Sequence, residues 1–568
     1  MKELYSAALQ SYSEALESYE KNLLQYRGDD RIDGSSERAA TVRNVTYEII
    51  ESQISSSVPP PKVDPASYSE KRDRLSHTIE RLLYSIRERL PYERLNDTDE
   101  RYTYIFGAGV WYVEWDNTVT HGAEVGGVRI YSISPEDFIP EPNTSSIEDM
   151  DYCFLRFQTT KREICRRFGV KSEDLPLLES EICAVSDVPD EDTVRMVVAF
   201  YRDDDGEIGR FIFSGDLALS DTPRFYRRKE SFCERCGEDI SECSCKSPKE
   251  ELRDVLYETK RGDMRLPGTA PANVKLPYYT PREFPIVIRK NIPLFGSPFG
   301  QSDCEYVRPE QQAINKIESR ILQKLLRAGV TPIVPEDAAI TLNNSVFGQV
   351  IRMKPGESAS QYGKVDTTPD ITQDIAEAER LYDHAKRILG ISDALQGLDT
   401  HVAESGYSRQ LKISQAAGRL ESKKKMKHAA YSEIDKLIFH HYLAFADEPR
   451  TLNYKDAFGR IHDARFSKYD FLEYDELTGE YYYDDDFLFS VDLDGGAEYQ
   501  REALWERNLE NLKAGTLGEP TSAVTLLRYW QLQERAHYPN SRENVEYFTL
   551  MIEKEKEDIE ISEGQESI

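Results

Sequence analysis

Four of the chain's eight cysteines lie in one short stretch, at a spacing suited to binding a metal ion. Cys233 and Cys236 form a Cys-x-x-Cys pair, and Cys243 and Cys245 follow as a Cys-x-Cys pair. Zinc takes four thiolate or imidazole ligands in a tetrahedron, and a Cys-x-x-Cys turn supplies two of them. Because so short a segment cannot bury a core of its own, we expect a structural zinc ion to fold it.

Two other interpretations of these cysteines stay open. They could be free thiols on a loop, although exposed, clustered thiols are prone to oxidation. They could also hold an iron–sulfur cluster. The flanking residues are charged, and only Phe232 offers an aromatic ring for stacking on a base. The cluster therefore does not indicate that the protein reads nucleotide bases.

Common catalytic motifs are missing from the sequence. The nearest approach to a phosphate-binding loop, Gly356 to Val365, has the wrong spacing and ends in valine. The acidic runs 203–205 and 484–486 resemble the carboxylate groups of two-metal nucleases, but adjacent acids usually occupy solvated turns. We expect no enzyme, and we keep a zinc-containing, nucleic-acid-processing nuclease as the alternative.

The amino-acid composition limits the kinds of molecule that the protein is expected to bind. The net charge of −30 argues against a broad surface that grips the phosphates of duplex DNA. No run of about 18 uncharged apolar residues is present, so no membrane segment is expected. The charged N-terminus does not resemble a signal peptide, which predicts a soluble, cytosolic protein. Outside the cluster, Cys153, Cys165, Cys183 and Cys304 are therefore expected to be reduced and buried.

Hydrophobic periodicity predicts an α+β fold. Helices are predicted over 1–27, 39–55 and 68–90, and strands from Arg101 onward, including TYIFGAGVWYVEWD, with a tight turn at Gly126-Gly127. The strand CFLRFQ leads into a helix that Thr160 caps and Gly169 ends. TVRMVVAFYR and GRFIFSG then form a hairpin.

The second half of the chain is predicted to be mainly helical. A first helix begins at Pro309, and a second runs to Gly390 with an acidic polar face. A third, very long helix follows from about 407 to 445, and its lysine run 423–425 is expected to be solvated. The acids of the second helix are Asp370, Asp374, Glu377 and Asp383.

The order of these elements resembles the portal proteins of tailed double-stranded DNA bacteriophages. Two stretches that resemble the portal wing are ERYTYIFGAGVWYVEWD and GGVRIYSISPEDFIPEPNTSSIEDMDYCFLRFQTTKREICRRFG. The stretch REFPIVIRKNIPLFGSPFGQSDCEYVRPEQQAINKIESRILQKLL is similar to the approach to a portal's first stem helix. Within it, Gln311 and Asn315 match a Gln-x-x-x-Asn pattern.

The resemblance implies a domain organisation for the whole chain. The segments are a wing (1–308, with a cysteine-rich insert at 229–250), a first stem helix (309–328), a clip (329–368), a second stem helix (369–390), a tunnel loop (391–405), a long wing helix with strands (406–500), a crown (501–550) and an acidic tail (551–568).

The resemblance also implies a function. Portal subunits form a ring, usually a dodecamer, at one capsid vertex, and DNA passes through its channel without sequence specificity during packaging and ejection. The terminase large subunit docks on the clip, and head-completion or adaptor proteins later replace it. The expected location is the portal vertex of the virion, after assembly in the host cytoplasm. A scaffold-like adaptor without a channel is a further alternative.

Two groups of residues take roles from the resemblance. The tunnel-loop candidates near DNA are Leu395, Gln396, Gly397, Asp399 and His401. The stem candidates are Gln311, Ile314, Asn315, Ile317 and Ile321, whose apolar members serve either ring formation or the subunit's own core. The cysteine insert departs from the portal pattern. It is expected on the outer wing, in contact with a neighbouring subunit, the scaffold or the major capsid protein.

Overall fold

The protein divides into two compact units of mixed helix and sheet, which confirms the α+β class. One unit contains Met1–Glu20, Ile54–Ser302 and His401–Ile568, and the other contains Lys21–Gln53 and Asp303–Thr400. The computed structural model describes residues 1–29, 42–55, 57–67, 69–122, 124–175, 193–227, 229–233, 248–252, 255–258, 275–327, 330–333, 363–366, 370–391, 406–455, 461–491, 498–535, 538, 541, 543–545 and 547–552.

The helices of the described residues are α1 (Lys2–Ser11), α2 (Ser13–Arg27), α3 (Val45–Glu51), α4 (Glu70–Arg89), α5 (Tyr92–Phe106), α6 (Lys161–Phe168), α7 (Asp303–Arg327), α8 (Thr372–Leu389), α9 (Gly406–Phe445), α10 (Glu498–Lys513) and α11 (Ala523–Arg535).

The strands in these residues are β1 (Pro61–Pro65), β2 (Ala108–His121), β3 (Glu124–Ile133), β4 (Phe138–Pro140), β5 (Tyr152–Thr160), β6 (Thr193–Arg202), β7 (Ile208–Ser214), β8 (Leu217–Thr222), β9 (Lys229–Cys233), β10 (Pro248–Leu252), β11 (Val255–Glu258), β12 (Lys275–Pro277), β13 (Ile286–Lys290), β14 (Ile292–Pro293), β15 (Gly300–Gln301), β16 (Val330–Ile333), β17 (Gly363–Asp366), β18 (Arg450–Lys455), β19 (Ile461–Phe466), β20 (Leu472–Tyr474), β21 (Tyr481–Tyr483) and β22 (Phe487–Val491).

Two sheets and a long helix organise the larger unit. One sheet has the order β4-β5-β6-β7-β8 and the other β13-β2-β3, and all their neighbouring strands pair antiparallel. The predicted strand at CFLRFQ and the predicted β6–β7 hairpin are confirmed. Helix α9 packs on β13, β2 and β22. It buries Ile434, Ile438, Phe439 and Leu443, which supply much of this core.

The predicted caps of α6 are confirmed. The Thr160 hydroxyl accepts a hydrogen bond from the Glu163 amide at 3.3 Å, which satisfies one free N–H of the first turn. Gly169 ends the helix at a φ of 70°, in the left-handed region that glycine enters without strain. No helix in the described part of the chain has the length and apolar character needed to cross a membrane.

Among the predicted boundaries, three at glycine or proline positions were wrong. The segment TYIF is the end of α5, because Gly107 at a φ of 91° closes that helix before β2 begins. Gly126 and Gly127 lie within β3, and the chain reverses between His121 and Glu124, which pair with each other. Pro309 lies inside α7, whose first turn at Asp303 carries acids that suit the positive helix end.

A buried ionic cluster connects α5, β13 and α9 in this unit. The Arg289 guanidinium donates to Asp99 at 2.7 Å and to Glu100 at 2.8 Å, and Lys427 pairs with Glu100 at 3.0 Å. Burial opposes ionisation, yet Arg289 and Lys427 lower the pKa of Glu100, whereas burial raises the pKa of Asp99. The cluster thus balances two acids with two bases where an unpaired charge would be very costly.

The lysine run of α9 is only partly solvated, contrary to the prediction. Lys423 is buried, with its ammonium 4.9 Å from the centre of the Tyr104 ring, whereas Lys424 and Lys425 are exposed. Lys427 and Tyr431 follow Lys423 at intervals of four residues, so they lie on the same side of the helix. This polar stripe faces inward because α5 provides its partners.

Gly107 tests how closely the end of α5 approaches β15. A Cβ atom at Gly107 would lie 2.4 Å from the backbone oxygen of Gly300, whereas at Gly169, another helix-ending glycine, it would meet nothing within 4 Å. We therefore expect Gly169→Ala to cost about 1–2 kcal/mol, the penalty for a left-handed alanine. Gly107→Ala should cost clearly more, because the backbone must also shift.

Thermal unfolding of the two variants would measure this difference. Equal losses of Tm for Gly107→Ala and Gly169→Ala would contradict the close approach at Gly107, because both positions share the left-handed conformation.

Candidate functional site

The smaller unit is built on the antiparallel helix pair α7 and α8. Glu310 near the start of α7 contacts His384 near the end of α8 at 3.0 Å. Towards the other end, Arg320 of α7 donates to Asp374 of α8 at 2.5 Å, and Lys324 contacts the same carboxylate. Contacts between early residues of one helix and late residues of the other require opposite directions. The two predicted helices therefore form a hairpin.

A pair of short strands closes this hairpin. Strand β16 follows α7 and pairs antiparallel with β17, from Val330↔Asp366 to Ile333↔Gly363. The two ends of the segment 334–362 are thus held opposite each other, while that segment itself lies outside the described residues. Helices α7 and α8 are therefore connected through a segment whose two ends are held next to each other by β16 and β17.

The apolar core of the smaller unit explains where the stem candidates lie. Ile314 is fully buried in a cluster with residues of α3, α7 and α8, so it serves the unit's own core. Ile321 is buried and Ile317 is half-buried, whereas Leu325 is 49% exposed. The other members of the cluster are Val45, Ile49, Val307, Ala385, Leu389 and Ile391.

Gln311 is a central polar residue of this unit. Its Oε1 atom accepts hydrogen bonds from the Val45 amide at 2.9 Å, the Thr46 amide at 3.0 Å and the Thr46 hydroxyl at 3.1 Å. Its Nε2 atom donates to the Arg43 carbonyl at 2.7 Å and to Asn315 Oδ1 at 2.9 Å. One carboxamide of α7 thus caps the start of α3, and Asn315 supports that carboxamide.

The same network extends to α2. Gln25 donates through Nε2 to the Thr46 hydroxyl at 2.9 Å and to the Cys304 carbonyl at 3.0 Å. The Arg308 Nε atom donates to Gln25 Oε1 at 3.1 Å. Sequence reasoning singled out Gln311 and Asn315 but missed Gln25 and Arg308, because no spacing rule connects residues about 280 positions apart.

The polar face of α8 is less acidic than its sequence indicates. Asp374 is only 8% exposed, and hydrogen bonds from Lys324, with the nearby Arg320, lower the pKa of its carboxyl. Glu377 pairs with Arg380 at 2.6 Å, and Asp370 accepts from the Thr372 amide at 2.9 Å. Asp383 is exposed. Charges available to a ligand are therefore fewer than the four predicted acids.

The metal and tunnel-loop candidates lie largely outside the described residues. Cys233 is the last residue of β9 and pairs with Pro248, the first residue of β10. The ends of the intervening segment are therefore neighbours in one strand pair. The candidates outside the described residues are Cys236, Cys243, Cys245, Leu395, Gln396, Gly397, Asp399 and His401. Ile391 and Gly406 are the described residues that border the predicted loop.

The two acidic runs differ from each other. Asp203 accepts from the Asp205 and Glu207 amides at 3.1 and 2.7 Å, which is the predicted turn. Asp484 instead is buried and pairs with Arg72 at 2.8 Å, so it is not solvated. Within the described residues, no three His, Cys, Asp or Glu side chains are grouped as a metal site would require.

The two adjacent histidines of α9 are buried. Burial lowers the pKa of His440 to about 3 and that of His441 to about 4, so both are neutral near pH 7. They pack against aromatic rings of the core, among them Tyr279 and Tyr226. Cys153 and Cys304 are buried as predicted, and Cys165 is partly buried.

Comparison with known proteins adds no identification. No family model matches the chain, and no curated protein matches it.

Gln311 provides a test of this network. In Gln311→Met, the side chain keeps its approximate size but leaves the Thr46 amide and hydroxyl without the acceptor they share. The Val45 amide still has the Arg43 carbonyl, at 2.9 Å, as an acceptor. Each unsatisfied buried group costs about 1–3 kcal/mol. We expect faster amide hydrogen exchange in α3, and little change in Gln312→Met, because Gln312 is exposed. Unchanged exchange of the Thr46 amide in Gln311→Met would contradict this role.

Proposed function

We propose that the protein is a phage portal subunit, which assembles into a ring at one capsid vertex and conducts double-stranded DNA into and out of the capsid. One observation carries the proposal. Two antiparallel helices, α7 and α8, are closed by the β16–β17 pair and followed in the chain by the 40-residue helix α9. This is the order of stem, clip, stem and long wing helix that the sequence resembles.

The charge of the chain is compatible with this function. Tight binding to DNA comes from cations that displace the counterions of the phosphates, and affinity rises with each such contact. A chain of net charge −30 lacks a general attraction of this kind. On α7, the cations Arg320 and Lys324 are engaged with Asp374. DNA could therefore pass a ring of such subunits without being held.

The proposed partners follow from the same assignment. The terminase large subunit would dock on the clip, 329–368, during packaging, and a head-completion or adaptor protein would take its place afterwards. The residues of the loop 391–405 would lie near the DNA. The subunit has no catalytic role in this proposal, and its location is the portal vertex of the virion.

We also propose that Cys233, Cys236, Cys243 and Cys245 hold one structural zinc ion. The pairing of Cys233 with Pro248 supports this, because it brings the two ends of the cysteine-rich segment to adjacent positions. A metal would then stabilise a segment that is too short for an apolar core.

Electron microscopy of the purified protein tests the ring. We expect rings with a central hole and no cutting of DNA in the presence of magnesium. A deletion of residues 394–401 should still give rings but should impair DNA packaging in an infection assay. A monomeric protein with magnesium-dependent nuclease activity would overturn the proposal, and normal packaging by the deletion variant would refute the role of the loop.

Metal analysis tests the zinc. We expect about one zinc ion per chain in protein purified without chelators. Cys243→Ser combined with Cys245→Ser should lose the ion, whereas Cys165→Ser, outside the cluster, should retain it. A zinc content far below one per chain in the unaltered protein would show that the cysteines do not form this site.

A further inference from the structure

Three buried polar atoms of the ionic cluster have no hydrogen-bond partner among the described residues. They are Asp99 Oδ1, Thr103 Oγ1 and Arg289 Nε. Each of the three residues is at most 1% exposed, so bulk water does not reach these atoms. Buried polar atoms of native proteins nearly always have a partner, because an unsatisfied one costs free energy. An internal water molecule is a common partner of this kind.

The three side chains meet beside Gly109 of β2. A Cβ atom at Gly109 would be 1.9 Å from Asp99 Oδ1 and 2.8 Å from Thr103 Oγ1, so both oxygens lie next to this backbone position. Asp99 and Thr103 are four residues apart on α5, which places them on one face of the helix. Arg289 is the residue of β13 directly opposite Gly109, and opposite residues of antiparallel strands share a face of the sheet.

The spacing of the two oxygens suits a bridging molecule. Asp99 Oδ1 and Thr103 Oγ1 form no hydrogen bond with each other, yet each lies close to the same Gly109 position. One water can join two oxygen atoms that are up to about 5.5 Å apart, twice an ordinary O–H···O distance. Because residue 109 is glycine, it adds no side chain that would fill the space between them.

The charges of the cluster favour a neutral ligand. Arg289 and Lys427 balance Asp99 and Glu100, so an added ion would have no counter-charge in the cluster. A buried ion without a counter-charge is very costly. The three atoms to be satisfied are a carboxylate acceptor, a hydroxyl and an N–H donor. Water can donate to the first and accept from the other two, whereas a cation cannot accept and a simple anion cannot donate.

We propose that one internal water molecule binds between α5, β2 and β13. It donates a hydrogen bond to Asp99 Oδ1 and accepts one from the Thr103 hydroxyl, and Arg289 Nε supplies its second donor. The water thereby satisfies the carboxylate oxygen that Arg289 does not reach, since Arg289 Nη1 donates to the other oxygen, Oδ2, at 2.7 Å. The site belongs to the fold of the single chain, so it does not depend on the proposed ring.

A different arrangement would satisfy two of the same atoms without water. Burial raises the pKa of Asp99, and a protonated Asp99 carboxyl could donate directly to Thr103 Oγ1. That arrangement leaves Arg289 Nε without a partner, whereas the water accounts for all three atoms. The two arrangements also differ in whether density for a molecule lies between the two oxygens.

Thermal unfolding of Thr103→Val tests whether the hydroxyl has a partner. Valine keeps the shape of threonine but replaces the hydroxyl with a methyl group. A bound water would lose one of its contacts, so we expect Tm to fall by about 2–4 °C. Removal of a hydroxyl that has no partner would instead raise Tm, because its burial is unfavourable. A Tm equal to or above that of the unaltered protein would therefore overturn the proposal.

Thr98→Val is the matched control for this variant. It makes the same chemical change on the same helix, at a half-buried residue whose hydroxyl donates to the Arg94 carbonyl at 3.0 Å. We expect a smaller fall in Tm there, because a partly exposed carbonyl can bind solvent instead. An equal fall in both variants would contradict a special role of the Thr103 hydroxyl.

A high-resolution crystal structure or electron microscopy map identifies the partner. In the unaltered protein we expect one density peak within about 3.2 Å of both Asp99 Oδ1 and Thr103 Oγ1. The peak should weaken or disappear in Thr103→Val. No peak at this position, or direct contact between the two oxygens, would overturn the water site even if Thr103→Val lowers Tm or fails to fold. Rings and monomers give the same answer, because the site lies within one chain.

Discussion

The larger unit depends on the placement of one buried guanidinium. Arg289 lies in β13 with 1% of its surface exposed, and it donates to acids of α5. A buried charge without partners costs several kcal/mol, so these elements must stay close enough for their ion pairs. Lys427 brings α9 into the same cluster. The position of the longest helix is thereby tied to the sheet through charges as well as through apolar packing.

Close approach of the backbone is what makes this cluster possible. Gly109 of β2 lies against Asp99, since a Cβ atom there would be 1.9 Å from the Asp99 Oδ1 atom. Gly107, two residues earlier, ends α5 and directs the chain into β2. The segment FGAG therefore joins a helix to a strand and also leaves room for the buried acid. Glycine in a strand-rich sequence usually indicates a tight turn between strands, but Gly107 and Gly109 do not form one here.

In the smaller unit, the neutral side chain of Gln311 connects separate elements, as the charged side chain of Arg289 does in the larger unit. Gln311 satisfies backbone donors of α3 and a backbone acceptor before it, which a carboxylate could not do, since it has no donor. The connection it makes is therefore independent of pH over the range in which acids titrate. The α7–α8 pair, in contrast, relies partly on Asp374 as an ion. The contact of α7 with α3 and its contact with α8 thus rely on different chemistry.

The sequence by itself determined the features that neighbouring residues control. The caps of α6, the end of α8 at Gly390, the β6–β7 hairpin and the extent of α9 all follow from local propensity and spacing.

Only the tertiary structure decided which charges are buried. Asp374 and Lys423 look like solvated positions, and Asp484 looks like part of a turn. Their burial depends on partners far along the chain, such as Arg72 for Asp484, 412 residues away. Such a partner cannot be predicted from the neighbouring residues, because the two side chains come together only when the chain folds.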